Sequence, residues 1–142
     1  MFVVITKSKL TMIVRVLFSI LLLSSFSMKG EVADPVWDAV SEAFRQANVR
    51  NISSYFGSMV DLTIQDQENT LTKSQAITSL ENFLNKNKPK SFTQVHQGSS
   101  KGKESYYCIG ELDTINGKFR VYIYFKSAGS TTNIHEIRID KV

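Results

Sequence analysis

The stretch that decides the fold is residues 104–126, ESYYCIGELDTINGKFRVYIYFK. Apolar and polar residues alternate on both sides of Asn116-Gly117, as they do in half-buried β-strands. Asn-Gly is typical of a two-residue hairpin turn, because both positions of a type I′ turn need a positive φ. The pattern therefore predicts an antiparallel hairpin made of Glu104–Thr114 and Lys118–Lys126.

The turn also predicts how the strands pair. The expected opposite pairs are Leu112 with Val121, Gly110 with Ile123 and Cys108 with Phe125. The alternating segment 133–141 is expected to continue the sheet, with Val121 opposite Ile139, Ile123 opposite Ile137 and Phe125 opposite His135. A shift of one residue would turn these apolar side chains to solvent. Phe92, on a further strand over 91–97, is expected to point inward and cover Gly110.

The residues before this sheet predict helices and one more strand. In order, they are a helix opened by Asp34-Pro35 and running to Ala47, a short helix from Asn48 that Gly57 ends, a strand over 59–65, and a helix from the capping box of Thr72 and Gln75 to Lys86. The chain is therefore expected to fold as one α+β domain over residues 34–142. Its predicted order is two helices, a strand, a third helix and a four-strand antiparallel meander.

Residues 1–27 have the pattern of a secretory signal. Basic residues at positions 7, 9 and 15 precede the apolar run 16–26, and small residues at 25 and 27 suit a signal peptidase. We expect export to the periplasm or the extracellular space, a mature chain that starts near Met28, and a short arm over 28–33; Met12 is an alternative start. The other interpretation is an uncleaved anchor, which would make the leader the only membrane contact. The run is shorter than the ~20 apolar residues that span a bilayer.

The charge of the chain belongs to this leader. The 142 residues carry 17 Lys and Arg against 13 Asp and Glu, a net charge of +4. Four of the basic residues lie in the first thirty positions and no acidic residue precedes Glu31, so the body is neutral. A neutral body lacks the basic surface that nucleic-acid binding needs, and no nucleic-acid partner is expected.

The predicted inner face of the sheet carries a few polar groups that could line a cone pocket. They are Gln94, His96, Tyr106 and His135, with Trp37, Phe44 and Phe83 as apolar walls. A few polar groups in an apolar cleft are typical of a small-molecule site, here for a small apolar ligand. The other interpretation is that these groups hydrogen-bond one another while the aromatic residues fill the core.

The sequence gives little support to catalysis or to a metal site. Cys108 and His135 are expected to flank Phe125, too far apart for a nucleophile and its base, so Cys108 is interpreted as a buried hydrophobe. The carboxylates of the strands all point outward, which argues against an isomerase that needs an acid in an apolar pocket; they are Asp61, Glu111, Asp113, Glu136 and Asp140. The two histidines lie on strands three places apart, so no metal or cofactor is expected.

The outer face is expected to carry aromatic and apolar residues among charges. They are Tyr107, Ile109, Tyr122, Tyr124 and Ile134, beside Arg120 and Arg138. Aromatic residues mixed with arginine are enriched at protein interfaces, so this face is a candidate homodimer surface. The other interpretation is an ordinary sheet face, since tyrosine is also a good strand former.

Several short stretches resemble a family of exported bacterial proteins, the domain of unknown function 4783 family. They are Tyr55-Phe56, 60–64, 90–92, 96–98, 119–122 and 135–139. The order of elements resembles the cystatin-like cone of the nuclear transport factor 2-like superfamily. The resemblance implies this fold and an envelope location, and it supplies no catalytic residues. The leading hypothesis is a non-enzymatic exported binding or interaction domain. The alternative is a cryptic enzyme that acts on a small apolar molecule, with His96, Tyr106 and His135 as acid–base groups.

Overall fold

The structure, a computed structural model, describes residues 35–142. The predicted signal segment, the arm over 28–33 and the Asp34 cap lie outside the described residues. The elements are α1 Pro35–Arg45, α2 Val49–Ser53, β1 Phe56–Ile64, β2 Gln67–Thr72, α3 Lys73–Lys86, β3 Pro89–Ser99, β4 Ser105–Thr114, β5 Gly117–Ala128 and β6 Thr131–Lys141. None of these helices is long and apolar enough to cross a membrane.

The six strands form one mixed sheet in the order β2-β1-β6-β5-β4-β3. Strands β3 to β6 pair antiparallel in sequence order, so the predicted meander is confirmed. Strand β1 pairs parallel with β6 and antiparallel with β2. The helices cover one face of the sheet, here called the inner face, and no helix or strand within residues 35–142 covers the opposite, outer face.

The core lies between the helices and the inner face. Phe44 of α1 stacks on Phe92 of β3 with ring centroids 5.1 Å apart, and Trp37 packs on the same ring at 5.6 Å. A Cβ on Gly110 would lie 2.3 Å from the Phe92 ring, so only glycine fits below it. The prediction that Phe92 covers Gly110 is confirmed, and this packing fastens α1 to the sheet.

Strand β2 was not predicted from the sequence. It is polar and exposed over Gln67–Thr70, so it lacks the alternation that marks a half-buried strand. Its turn contains no glycine, although Gln65 and Asp66 have φ of 48° and 69°. The capping box of Thr72 and Gln75 is confirmed. The expected helix end at Gly57 is wrong, because α2 ends at Ser53 with Ser54 as its C-cap, and Gly57 lies inside β1.

The β4–β5 register differs from the prediction by two residues. Thr114 pairs with Gly117, which puts Leu112 opposite Phe119, Gly110 opposite Val121 and Cys108 opposite Ile123. The Thr114 hydroxyl donates to the Gly117 carbonyl at 2.7 Å and accepts from the Asn116 amide at 3.1 Å. Of the two residues expected in a type I′ turn, only Gly117 has a positive φ, 112°. A two-residue shift keeps each side chain on its predicted face.

The β5–β6 register is as predicted at one end and wrong at the other. Val121 lies opposite Ile139 and Ile123 opposite Ile137, but Phe125 pairs with Ile134. A β-bulge next to Tyr124 leaves His135 as the extra residue. Ile134 is therefore buried in the core and His135 is exposed. The two residues exchange the faces that the sequence predicted for them.

Candidate functional site

The residues predicted to line the cone pocket lie in different parts of the domain. Trp37 and Phe44 are buried in the aromatic core beneath α1. Tyr106 lies on the inner face, where its ring stacks on Phe125 with centroids 4.5 Å apart. Gln94 is exposed. Of the seven predicted lining residues, only Phe83 lines the cavity described below, at the β1–β2 end of the sheet.

His96 leaves its predicted position because of a second bulge. The β3–β4 register shifts between Gln94 and His96, so His96 lies opposite Ile109. Its Nε2 atom lies 3.1 Å from the Tyr107 hydroxyl, within hydrogen-bond distance. His96 and His135 therefore both belong to the outer face, whereas Tyr106 belongs to the inner face. The three acid–base groups of the enzyme hypothesis do not share a site.

The thiol arrangement is also not formed. Cys108 is fully buried on the inner face, as predicted, while 48% of the His135 side-chain surface is exposed. A nucleophile must contact its base to be activated. These two side chains lie on opposite sides of the sheet, so Cys108 acts as a core residue.

The outer face brings together five residues that we call the tyrosine–histidine band: His96, Tyr107, Tyr122, Tyr124 and His135. The Tyr107 and Tyr122 rings stack with centroids 5.8 Å apart, and the His96 ring is 5.8 Å from that of Tyr107. The Tyr124 and His135 rings meet edge to face at 6.2 Å. Tyr122 and Tyr124 are two positions apart on the same face of β5, so the His96–Tyr107–Tyr122 contacts and the Tyr124–His135 contact are neighbours that together span strands β3 to β6.

Polar contacts extend the band toward β2. The Nδ1 atom of His135 lies 3.6 Å from an Asp61 carboxylate oxygen, and the other oxygen accepts a 2.7 Å hydrogen bond from the Thr70 hydroxyl. Two positions beyond Tyr124 on β5, the Lys126 ammonium lies 5.9 Å from the centre of the Tyr124 ring. The band is therefore framed by one acidic and one basic group.

Two ion pairs flank the band, and both remain accessible to solvent. Lys118 donates to Glu111 at 2.6 Å, and Arg138 donates to Glu136 at 3.2 Å. Partial burial, followed by the Glu136 carboxylate, raises the pKa of the Tyr122 phenol above its ordinary value. The remaining predicted interface residues, Ile109 and Arg120, also lie on this face, opposite Tyr122 and Glu111 respectively.

A cavity of about 600 Å³ lies elsewhere, at the end of the sheet where β1 and β2 join. Its apolar floor consists of Leu62, Ile64, Leu71, Phe83 and Phe119. Six amide side chains, Ser79 and the lysines at 86 and 141 make up the rest of its lining. The sequence could not reveal this cavity, because one of its walls is the unpredicted strand β2. Within residues 35–142, no cluster of three or more His, Cys, Asp or Glu side chains could hold a metal ion.

Comparison with known proteins agrees with this fold. The family model for the domain of unknown function 4783 matches residues 37–140. A crystal structure of a member of that family from Bacteroides ovatus ATCC 8483 is 36% identical, with a TM-score of 0.69 over 73% of this chain and 93% of that one. The corresponding structure from Bacteroides uniformis ATCC 8492 is 37% identical, with a TM-score of 0.69 over 74% of this chain and 95% of that one.

A more distant structure shows the superfamily fold. The nuclear transport factor 2-like protein from Cytophaga hutchinsonii ATCC 33406 is 10% identical, with a TM-score of 0.57 over 75% of this chain and 93% of that one. The three helices and curved six-stranded sheet are thus a nuclear transport factor 2-like cone, as the resemblance implied. No curated protein matches the chain. The family match and the two close structures agree, and the chain belongs to the domain of unknown function 4783 family.

Proposed function

We propose that this protein is an exported, non-enzymatic interaction domain that pairs with a second copy of itself through the tyrosine–histidine band. The observation that carries the proposal is the unbroken contact of rings from His96 through Tyr107 and Tyr122 on the uncovered face of the sheet. Tyrosine supplies a large, rigid contact area at a low cost in side-chain entropy, which suits it to interfaces.

The charges around the band favour a second copy as the partner. Two ion pairs, Glu111–Lys118 and Glu136–Arg138, flank the tyrosines. Each pair contributes one negative and one positive charge, so neither sign dominates on this face. A two-fold axis through such a face can place acidic groups of one copy beside basic groups of the other. A strongly charged partner would find no complementary field there.

The proposal of export rests on the sequence of the leader. Binding of a small apolar ligand in the predicted cone pocket is supported less well than self-association. The residues expected to line that pocket are divided between the core and the two faces of the sheet. Likewise, the acid–base groups of the enzyme hypothesis do not converge. The interaction surface is therefore the function that the geometry supports best.

Native mass spectrometry of the exported protein tests this proposal. We expect a dimer, and we expect Tyr122→Asp to weaken it roughly 30-fold or more, because a charge at the centre of an interface costs about 2 kcal/mol or more. Thr131→Asp adds the same charge at the exposed first residue of β6, directly after the β5–β6 turn, and should leave the dimer intact.

Circular dichroism of both variants checks that they fold, and Tyr124→Asp provides a second variant within the band. A monomeric wild-type protein, or a dimer that Thr131→Asp breaks as readily as Tyr122→Asp, would contradict the proposal. The same spectra give the mass of the mature chain and of any retained small molecule.

A further inference from the structure

The cavity at the β1–β2 end of the sheet is separate from both surfaces considered above. It lies beside α3, the β1–β2 hairpin and the β4–β5 turn, whereas the aromatic core of Trp37, Phe44 and Phe92 lies beneath α1. Leu62, Phe83 and Phe119 give it an apolar floor. Its volume of about 600 Å³ is in the range of small-molecule sites.

The β4–β5 turn brings two lysines from distant parts of the chain to this cavity. The Asn116 side-chain amide donates to the Lys86 carbonyl at 2.8 Å, which fastens the turn to the end of α3. On the other side, the Lys141 stem passes Gly117, with its Cε atom 3.8 Å from where a Cβ would be. Lys86 and Lys141 thus flank one turn and both line the cavity.

The cavity lining has two cations and no carboxylate. Lys86 and Lys141 form no ion pair with any residue in 35–142. The carbonyl end of α3 would disfavour an anion, but Phe83 and Lys86 carbonyls already accept from the side chains of Asn87 and Asn116. The charge of the lining therefore complements an anion.

Apart from Ser79, the rest of the polar lining is made of amides, which both donate and accept hydrogen bonds. They are Gln65, Gln67, Asn69, Asn82, Asn87 and Asn116. An occupant that matches the whole lining carries an apolar group for the floor, an amide or similar group for the walls, and an anionic group for the lysines. We propose that this cavity binds an N-acylated α-amino acid carboxylate, the chemistry found at the carboxyl end of a peptide and in free N-acyl amino acids.

A matched pair of probes tests the charge requirement. N-acetyl-leucine and N-acetyl-leucinamide share the apolar side chain and the amide, but only the first carries a carboxylate. We titrate each into the 15N-labelled exported protein and follow the backbone amide shifts. The carboxylate is expected to bind about tenfold more tightly, which corresponds to about 1.4 kcal/mol, and to shift amides lining the cavity, such as those of Ser79, Asn82 and Asn116.

Lysine variants test where the charge is recognised. The double variant Lys86→Gln/Lys141→Gln should bind the acid and the amide equally, because it keeps both side chains polar and removes only their charges. Lys90→Gln/Lys101→Gln removes two exposed charges away from the cavity and from the tyrosine–histidine band, and it should keep the preference for the acid. Retention of wild-type preference by the first double variant would overturn the assignment of the two lysines.

A third probe, acetyl-Ala-Ala-Leu, distinguishes the two sources of this chemistry. Tighter binding of the tripeptide than of N-acetyl-leucine identifies a peptide end, and equal binding identifies a free N-acyl amino acid. Equal affinity for N-acetyl-leucine and its amide, shifts confined to residues outside the cavity, or no saturable shift with any probe would overturn the proposal. None of these outcomes depends on whether the outer face forms a dimer.

Discussion

At the residue scale, two glycines of adjacent strands carry aromatic rings on opposite faces of the sheet. Gly110 lies under Phe92 on the inner face, and Gly98 lies under Tyr107 on the outer face. A ring that packs on glycine compensates for the missing side chain in a strand. Strands β3 and β4 thus pack against the aromatic core on the inner face and support Tyr107 of the tyrosine–histidine band on the outer face.

This packing predicts that Gly110→Ala is strongly destabilising. The added methyl would lie 2.3 Å from Phe92 Cζ, and the ring cannot retreat because Trp37 and Phe44 pack against it. Overpacking of a core typically costs 1–3 kcal/mol, so we expect a loss of roughly 2 kcal/mol in the free energy of unfolding by urea denaturation.

Gly57→Ala is the matched control, because Gly57 is also a strand glycine with an ordinary φ. Its nearest neighbour to an added Cβ is the Met59 carbonyl oxygen at 3.6 Å, an ordinary contact. We expect a change of less than about 0.5 kcal/mol there. Equal effects of the two substitutions would mean that the close Phe92–Gly110 contact does not restrict the size of the side chain at position 110.

At the scale of elements, the sequence predicted most of the fold because alternation and capping are local signals. Helix α3 was found from the capping box of Thr72 and Gln75, and β5 from its alternating residues. Strand β2 was missed because it is polar on both faces and turns at Gln65-Asp66 without a glycine. Local polarity cannot distinguish such an edge strand from a loop.

The candidate site was predicted less well than the fold, because two β-bulges decide it. One extra residue at Val95 and one at His135 reverse the alternation that assigned both histidines to the inner face. A bulge depends on how two strands pair, so the amino-acid pattern of one strand alone does not predict it. The tyrosines of the band lie on β4 and β5, whereas the two extra residues lie on β3 and β6. The alternation along β4 and β5 is therefore intact, and it predicted the outward orientation of these tyrosines correctly.

The β4–β5 turn gives a prediction at this scale. Thr114→Val keeps the shape of a buried side chain but removes its hydrogen bonds to the Gly117 carbonyl and the Asn116 amide. Each lost bond leaves a polar backbone group less satisfied, so we expect a loss of about 1–3 kcal/mol in unfolding free energy. Amide exchange of Asn116 and Gly117 should also accelerate.

Thr131→Val is the control for this substitution, since Thr131 begins the strand after the next turn and is exposed. Valine there should change the unfolding free energy by less than about 0.5 kcal/mol. If Thr114→Val were equally mild, the turn would owe its register to Asn116 and its contacts with α3, and the threonine hydroxyl would be dispensable.

At the scale of the whole molecule, the domain separates its surfaces. The helices cover the inner face, the tyrosine–histidine band occupies the outer face, and the cavity opens where β1–β2 and α3 meet. With a neutral body, none of these surfaces requires a charged polymer as its partner. The proposed self-association and the proposed small-molecule binding would therefore involve different residues and would not compete.

The leader determines where these surfaces would act, so export is the prediction that concerns the whole molecule. Residues 1–33 fused to alkaline phosphatase should yield active enzyme in a bacterial host, because that enzyme needs disulfides that form only outside the cytoplasm. Leu22→Arg places a charge inside the apolar run and should lower activity about tenfold or more, since arginine at the centre of such a segment costs ~2.5–3.5 kcal/mol. Thr11→Arg adds the same charge before the run and should leave activity unchanged. Mass spectrometry of the processed protein should show a chain that starts near Met28, whereas a membrane-bound product that retains residues 1–27 would establish an anchor in place of a cleaved signal.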